Sequence, residues 1–232
     1  MERKKKGKLQ KTKKNAYDLV VFDLDGTIID NVKYIWQLIH TYLKTDQKKR
    51  EHYRQQFFAR EIHYAEWARM DIKLWKERQA RKKDIMRGMS SIRLMNGARQ
   101  TLMALKKSGH KLAIISGSLN IAVEKVLPEY REIFDYVLVN KIYFRRNGEI
   151  SRIIPTKYDI EHKLTGLKHI CRLENIHLSR TAFIGDNYND IHIAEAAGLS
   201  IAFCPNSKDL EKVADVIIRK KDLRLVLPHI TE

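Results

Sequence analysis

Leu19-Val20-Val21-Phe22-Asp23-Leu24-Asp25-Gly26-Thr27 decides the fold of this 232-residue chain. Four consecutive apolar residues read as a buried strand, and the Asp-Gly pair that follows reads as the tight turn into which it opens. This geometry brings the carboxylates of Asp23 and Asp25 to the carboxyl edge of a sheet, where open α/β folds bind ligands. Carboxylates so placed suit a nucleophile and a proton donor, provided a metal ion neutralises their repulsion. Asp-Gly is also an ordinary turn pair, so the string needs support from the rest of the chain.

Three later segments supply it. Ala113-Ile114-Ile115-Ser116-Gly117-Ser118 is an apolar strand ending in a hydroxyl and a glycine. Lys163 sits in a helical stretch over Asp159–Leu173, with Leu164 and Leu167 toward a core. Ala182-Phe183-Ile184-Gly185-Asp186-Asn187-Tyr188-Asn189-Asp190 is another strand ending in carboxylates. Between them strands and helices alternate: strands at Lys111–Ser116, Tyr136–Asn140, Thr181–Gly185, Leu199–Phe203 and Val216–Ile218, helices at Ala98–Ser108, Leu119–Leu127 and Tyr188–Ala197. Such alternation implies an α/β fold, a parallel sheet with helices on both faces. Ile142–Phe144 and Ile150–Ile154 flank Asn147-Gly148 and read as a β-hairpin, Asn-Gly being the preferred tight-turn pair.

In order and spacing, these four motifs resemble the haloacid dehalogenase superfamily of phosphohydrolases, and most closely its phosphoserine phosphatase-like branch, from about Tyr17 to Leu227. The resemblance implies a Rossmannoid parallel sheet with an inserted all-α cap over the active site and a β-hairpin flap. It divides the chain into a basic tail (1–15), a core (16–30 and 91–232) and a cap (31–90). The cap segment has no Gly or Pro up to Arg87 and carries apolar residues at helical spacing, which predicts about three amphipathic helices.

The resemblance also implies roles. Asp23 attacks phosphorus and forms an aspartyl-phosphate; Asp25 protonates the leaving alkoxide and then activates water. Asp23, the backbone carbonyl of Asp25, and Asp186 hold Mg²⁺, the metal that suits an oxygen-rich site facing a phosphate. Ser116, the Gly117 N–H at a helix start, Lys163 and Asn189 bind phosphate or substrate, Thr27 bonds within the first loop at the phosphate site, and Asp190 steadies Lys163 or a metal-bound water. Read as isolated residues, Ser116 is a helix N-cap, Lys163 has rivals in Lys157 and Lys168, and Asp190 a cap or a solvated carboxylate.

The chain departs from the phosphoserine-cleaving pattern at Gly26, where those members usually carry serine, at about Val32, where they place a glutamate for the substrate's ammonium, and at Asp71, where they use an arginine for its carboxylate; there either a neighbour such as Arg69 or Lys73 substitutes or the substrate differs. Tyr64, Trp67, Asp71, Leu74 and Trp75 recur at three- and four-residue steps, so they share one helix face. Packing between cap helices is one reading of that stripe; selection of a polar or cationic leaving group by Trp67 and Asp71 is the other.

Composition narrows the classes. At 44% apolar residues the chain can bury a sizeable core. No apolar run approaches a membrane span and no signal-peptide pattern opens the chain. Cys171 and Cys204 are its only cysteines and read as two reduced thiols, which fits a cytoplasmic protein. Of the formal charge of +17, residues 1–14 carry eight basic side chains against Glu2. That tail leaves open a nucleic-acid-binding role, with or without removal of a terminal phosphate, beside the leading expectation of a phosphatase for a small phosphorylated metabolite. Transfer of the phosphoryl group to an acceptor other than water, a genuine phosphoserine phosphatase, the use of Mn²⁺ or Co²⁺, and the oligomeric state are not separable in the sequence.

Overall fold

The computed structural model describes residues 16–231 other than 159 and 161. The basic tail expected over 1–15 lies outside the described residues, as does the expected helix start at Asp159.

β1 (Leu19–Phe22) is buried along its whole length at the centre of a sheet. Side chains alternate across a strand. Leu19 and Val21 therefore join one apolar cluster with Leu167 and Ile170, while Val20 and Phe22 join another with Leu102 and Ala122. A strand sandwiched this way has to be apolar throughout, and each fully buried large side chain contributes roughly 1.5–3 kcal/mol.

The chain next forms β2 (Ile29–Asp30), then four helices, α1 (Ile35–Leu43), α2 (Gln47–Phe58), α3 (Tyr64–Glu77) and α4 (Lys82–Gly88), and returns through β3 (Arg93–Leu94). β2 and β3 pair antiparallel, Ile29 opposite Leu94 and Asp30 opposite Arg93, so the helical insertion leaves and rejoins the sheet at one place. Buried Asp30 fixes that joint, accepting from Arg93 (3.1 and 3.2 Å) and from Lys221 (2.6 Å).

Beyond it come α5 (Ala98–Lys107), β4 (Lys111–Leu119), α6 (Asn120–Val126), α7 (Tyr130–Ile133), β5 (Tyr136–Phe144) and β6 (Ile150–Ile154). The last third holds α8 (Lys163–Glu174), β7 (Thr181–Gly185), α9 (Ile191–Ala196), β8 (Leu199–Phe203), α10 (Lys208–Val213), β9 (Val216–Ile218) and α11 (Leu227–Thr231). The seven-stranded sheet runs β6-β5-β4-β1-β7-β8-β9, parallel except for β6. Residues of α5 and α6 cover one face, and residues of α8, α9 and α10 the other.

Four elements differ from the sequence expectation. The helical insertion has four helices, because α2 is polar almost all round, buries only Phe57 and lacks the periodicity that betrays the others. β4 continues through Gly117 to Leu119, where a bulge lets Leu119 pair with Asn140; Gly117 is thus a strand residue, and the helix starts at Asn120. β5 is one strand, pairing parallel with β4 and then antiparallel with β6. The hairpin loop closes as a four-residue turn, Gly148 N–H donating to Arg145 O (2.9 Å), and only Gly148 (φ +84°) is left-handed, so Asn-Gly serves here as the end of a turn followed by a bulge. The hairpin tip touches the helical insertion, Lys82 N–H donating to Gly148 O at 2.7 Å.

Candidate active site

Register puts the site together. Phe22 pairs with Ile114 on one side and Ile184 on the other. Asp23 is the next residue past that rung, and Ser116 and Asp186 each lie two past it, so three chain-distant polar groups meet at one sheet edge. The Asp23 N–H continues the ladder to Ile184 O (2.9 Å).

Lys163, the first residue of α8, is 1% exposed. An ammonium at a helix N-terminus is locally unfavourable, and burial adds a desolvation cost. Both are answered by its partners: Nζ lies 2.6 Å from Asp190 Oδ1 and 2.8 Å from Asp23 Oδ1. Burial alone pushes the lysine pKa down, but Asp190 and then Asp23 outweigh it and hold it above the usual range. The other Asp190 oxygen accepts the N–H groups of Asp186 (2.9 Å) and Asn187 (3.1 Å), fixing the loop after β7. Asp190 therefore has both oxygens engaged.

Asp186 is buried and accepts from Asn206 Nδ2 (2.8 Å). Burial first, and then the charges of Asp23 and Asp190, raise its carboxyl well above the ordinary range. Asp25 is pushed up to about 7, mainly by burial; the Ile35 N–H (2.7 Å) and Ser118 hydroxyl (2.7 Å), which both donate to it, pull the other way. Oxygens of Asp23, Asp186 and Asp190 lie within 4.8 Å of one another. Among the described residues one ammonium serves this whole group, and Asp23 and Asp186 have coordination capacity beyond their present contacts. A hard, oxygen-seeking cation fits such a donor set.

Gly26 is required where it stands. Its φ is +78°, and a Cβ would lie 2.4 Å from Asp186 Oδ2, so the turn residue and the far carboxylate share one small space.

The carboxylates open into a cavity of about 460 Å³ between the sheet edge and α1, α2 and α3. Asp23, Asp25, Ser116, Gly117, Asp186 and Asn189 line its floor, and Trp67 and Asp71 its helical wall. Ser116 is buried and its Oγ accepts the Ser118 N–H (3.2 Å). Gly117 turns its carbonyl to Trp36 Nε1 (2.8 Å) and Asn140 Nδ2 (2.7 Å); it lies in β4, three residues before the start of α6, and so does not offer the helix-start N–H expected of it. Thr27 is fully buried away from the cavity lining; its N–H donates to Leu24 O (3.3 Å), whereas its hydroxyl has no hydrogen-bond partner. Asp71 faces His40 Nε2 (3.4 Å) and Arg50 Nε (3.8 Å).

Several participants had no sequence signal. Asn206 follows β8 by a few residues in an unremarkable loop. Arg50 belongs to the helix without periodicity. Asn140 is a polar interruption of the apolar run Tyr136–Phe144; fully buried, it donates to Gly117 O, Ser118 O and Tyr64 OH and accepts the Thr156 N–H. A buried asparagine in an apolar strand was the one available clue.

A model of haloacid dehalogenase-like hydrolases matches residues 17–198, and the chain belongs to that family. It is 29% identical over 213 residues to the phosphoserine phosphatase of Methanocaldococcus jannaschii, covering 91% of this chain and 97% of the relative. To that of Archaeoglobus fulgidus it is 29% identical over 206 residues, 88% of this chain but 57% of the relative. A solved phospho-aspartyl intermediate analogue of phosphoserine phosphatase superposes with a TM-score of 0.71 at 26% identity, covering 93% of this chain and 99% of the other.

Lys163→Met leaves buried carboxylates without their counter-ion and is expected to cost about 3–5 kcal/mol in chemical denaturation. The carboxylates also set a pH dependence. Asp25 and Asp186 have raised folded pKa values, so the stability they contribute to the metal-free protein is present below the unfolded carboxylate pKa and is lost as pH rises through the folded values. In EDTA, Tm should fall between pH 5 and pH 8; a divalent cation should raise Tm more at pH 8 than at pH 5, as followed by scanning calorimetry.

Proposed function

We propose that this chain is a Mg²⁺-dependent phosphomonoester hydrolase acting on small phosphorylated metabolites through an aspartyl-phosphate. The observation that carries the reading is Asp23, held against buried Lys163 at the floor of a cavity with Asp186 beside it. The named activity of its relatives and of the superposed phospho-aspartyl analogue agrees with it.

Asp23 attacks phosphorus in line and the P–O bond to the alcohol breaks, leaving an acyl phosphate on the protein. Asp25, with a pKa of about 7, can carry the proton that the leaving alkoxide takes. Deprotonated afterwards, it takes a proton from the water that cleaves the aspartyl-phosphate. Lys163 offsets the charge that nucleophile and phosphate bring together, Ser116 offers its hydroxyl to a phosphate oxygen, and Asn189 on the same floor contacts phosphate or substrate. Asp23, Asp186 and the carbonyl of Asp25 would hold Mg²⁺, which supplies further neutralisation of phosphoryl charge. Asp190 acts through Lys163 and through the loop after β7. In this reading residues 31–90 form a cap over a core of 16–30 and 91–232, and cap closure excludes water during the first step.

Among the described residues no helix is long and apolar enough to cross a membrane, and Cys171 and Cys204 are unpaired. Free thiols fit the reducing cytoplasm we infer for this enzyme. Phosphoserine itself is the second reading, favoured by the relatives' named activity. Val32 and Asp71 weigh against it, since neither offers the charge that an amino acid's ammonium or carboxylate requires at those places.

Phosphate release from a panel of metabolites, with Mg²⁺ or with EDTA, tests the class. Asp23→Asn is expected to lose at least ~10³-fold in kcat, and Asp25→Asn roughly 10²–10⁴-fold. Activity that survives both EDTA and Asp23→Asn overturns the mechanism.

A further inference from the structure

The cavity is walled by aromatic rings that are fixed in place. Trp36 Nε1 donates to Gly117 O (2.8 Å), and its ring lies 5.2 Å from that of Trp75. Trp67 stacks on Phe57 (4.9 Å, 27°) and meets Tyr64 edge-on (6.3 Å). Trp36, Tyr64 and Trp67 line the cavity, as do Tyr34 and Phe58. Rings locked this way offer flat contact area with little ordering entropy left to lose.

Charge on the same wall is cationic on balance. Glu51 lies 2.7 Å from Arg54, and Asp71 sits between His40 and Arg50. Lys33, Arg50 and Arg54 stand against Glu51 and Asp71, so the wall has no surplus anion with which to hold an ammonium group. Hydrogen-bonding capacity nevertheless remains. The buried indole N–H of Trp67 has no hydrogen-bond partner, whereas Asp71 Oδ1 is held by His40 Nε2 (3.4 Å) and Arg50 Nε (3.8 Å). The two residues are four apart on α3, hence on one face. A buried donor left unmet is costly unless a ligand answers it.

We infer that the alcohol released here carries a planar heteroaromatic ring, as in a nucleoside 5′-monophosphate, stacked among Trp36, Tyr64 and Trp67 with its polar edge toward Trp67. This names the substrate class of the site proposed above and rests on that reading. The cavity, at about 460 Å³, lies in the range that encloses ligands well beyond a three-carbon ester. Aromatic stacking is tolerant of which ring is bound, so the wall selects a class of esters more than one member.

The test compares kcat/KM for adenosine and uridine 5′-monophosphates and pyridoxal 5′-phosphate with that for glycerol 3-phosphate, phosphoserine, phosphocholine and acetyl phosphate. Ring-bearing esters are expected to lead by about 10- to 100-fold. Trp67→Leu should shrink that lead about tenfold relative to acetyl phosphate, whereas a merely structural role lowers all substrates together. Calorimetry of Asp23→Asn with Mg²⁺ adds a readout independent of turnover: adenosine 5′-monophosphate should bind at least tenfold tighter than glycerol 3-phosphate. Metal-dependent turnover of acetyl phosphate without any ring preference overturns the inference and leaves the phosphatase reading standing. Ring-selective binding with no turnover of any ester overturns the phosphatase reading and leaves the ring site standing. Equal binding of the two esters to Asp23→Asn overturns the ring site whatever the kinetics show.

Discussion

The ammonium of Lys163 between Asp23 and Asp190 is the interaction on which the rest of the site depends. Three carboxylates crowded at one sheet edge repel one another, and burial deepens the penalty by removing water. A single buried cation makes the arrangement tolerable and at the same time leaves it short of positive charge. That shortage is what lets the site take a metal ion and a phosphate as ligands. A fully neutralised cluster would be a stable core feature with no appetite for either.

The fold delivers this arrangement through strand register more than through loop design. Phe22, Ile114 and Ile184 lie on one rung, so whatever follows each of them is brought into contact. The apolar strands fix positions; the turn chemistry that follows fixes orientations. Gly26 frees the space that Asp186 occupies, and Asp190 reaches back to the N–H groups of Asp186 and Asn187. The loop after β7 is thereby organised by the same carboxylate that holds the lysine. Loss of Asp190 would act on Lys163 and on the loop carrying Asp186 at once, so its effects should not separate cleanly into charge and geometry.

What was legible in the sequence follows the same division. β1, β7, β8 and β9 could be read because buried strands are apolar runs ended by turn residues, and the carboxylates after them stood out by contrast. The end of β4 was hidden, since Ser-Gly-Ser looks like a loop while Asn140 holds its carbonyls to the sheet. α2 was hidden as well: with Phe57 as its one buried residue, its helical character comes from the Asp46 cap and good helix formers, leaving no periodic trace. Arg50 went unread for that reason. Its relation to Asp71 spans two helices, and a contact between distant residues leaves no local pattern.

The helical insertion and the sheet edge follow different physical rules, and this separates chemistry from selectivity. At the sheet edge, every group is set by backbone register and by charge, and replacement of any one is felt by all the others. On the helical wall, rings and paired charges lie on helix faces that can change residue by residue without disturbing the strands. Asp71 is such a wall residue, held by His40 of α1 and Arg50 of α2, with no contact to the carboxylates and lysine of the floor among its described ion pairs. Trp36 is the link between the two parts, a wall residue whose indole N–H is tied to the Gly117 carbonyl at the floor. Ile35, its neighbour, donates its N–H to Asp25. The start of α1 therefore touches both Asp25 and the end of β4, so two hydrogen bonds join the helical wall directly to the sheet edge.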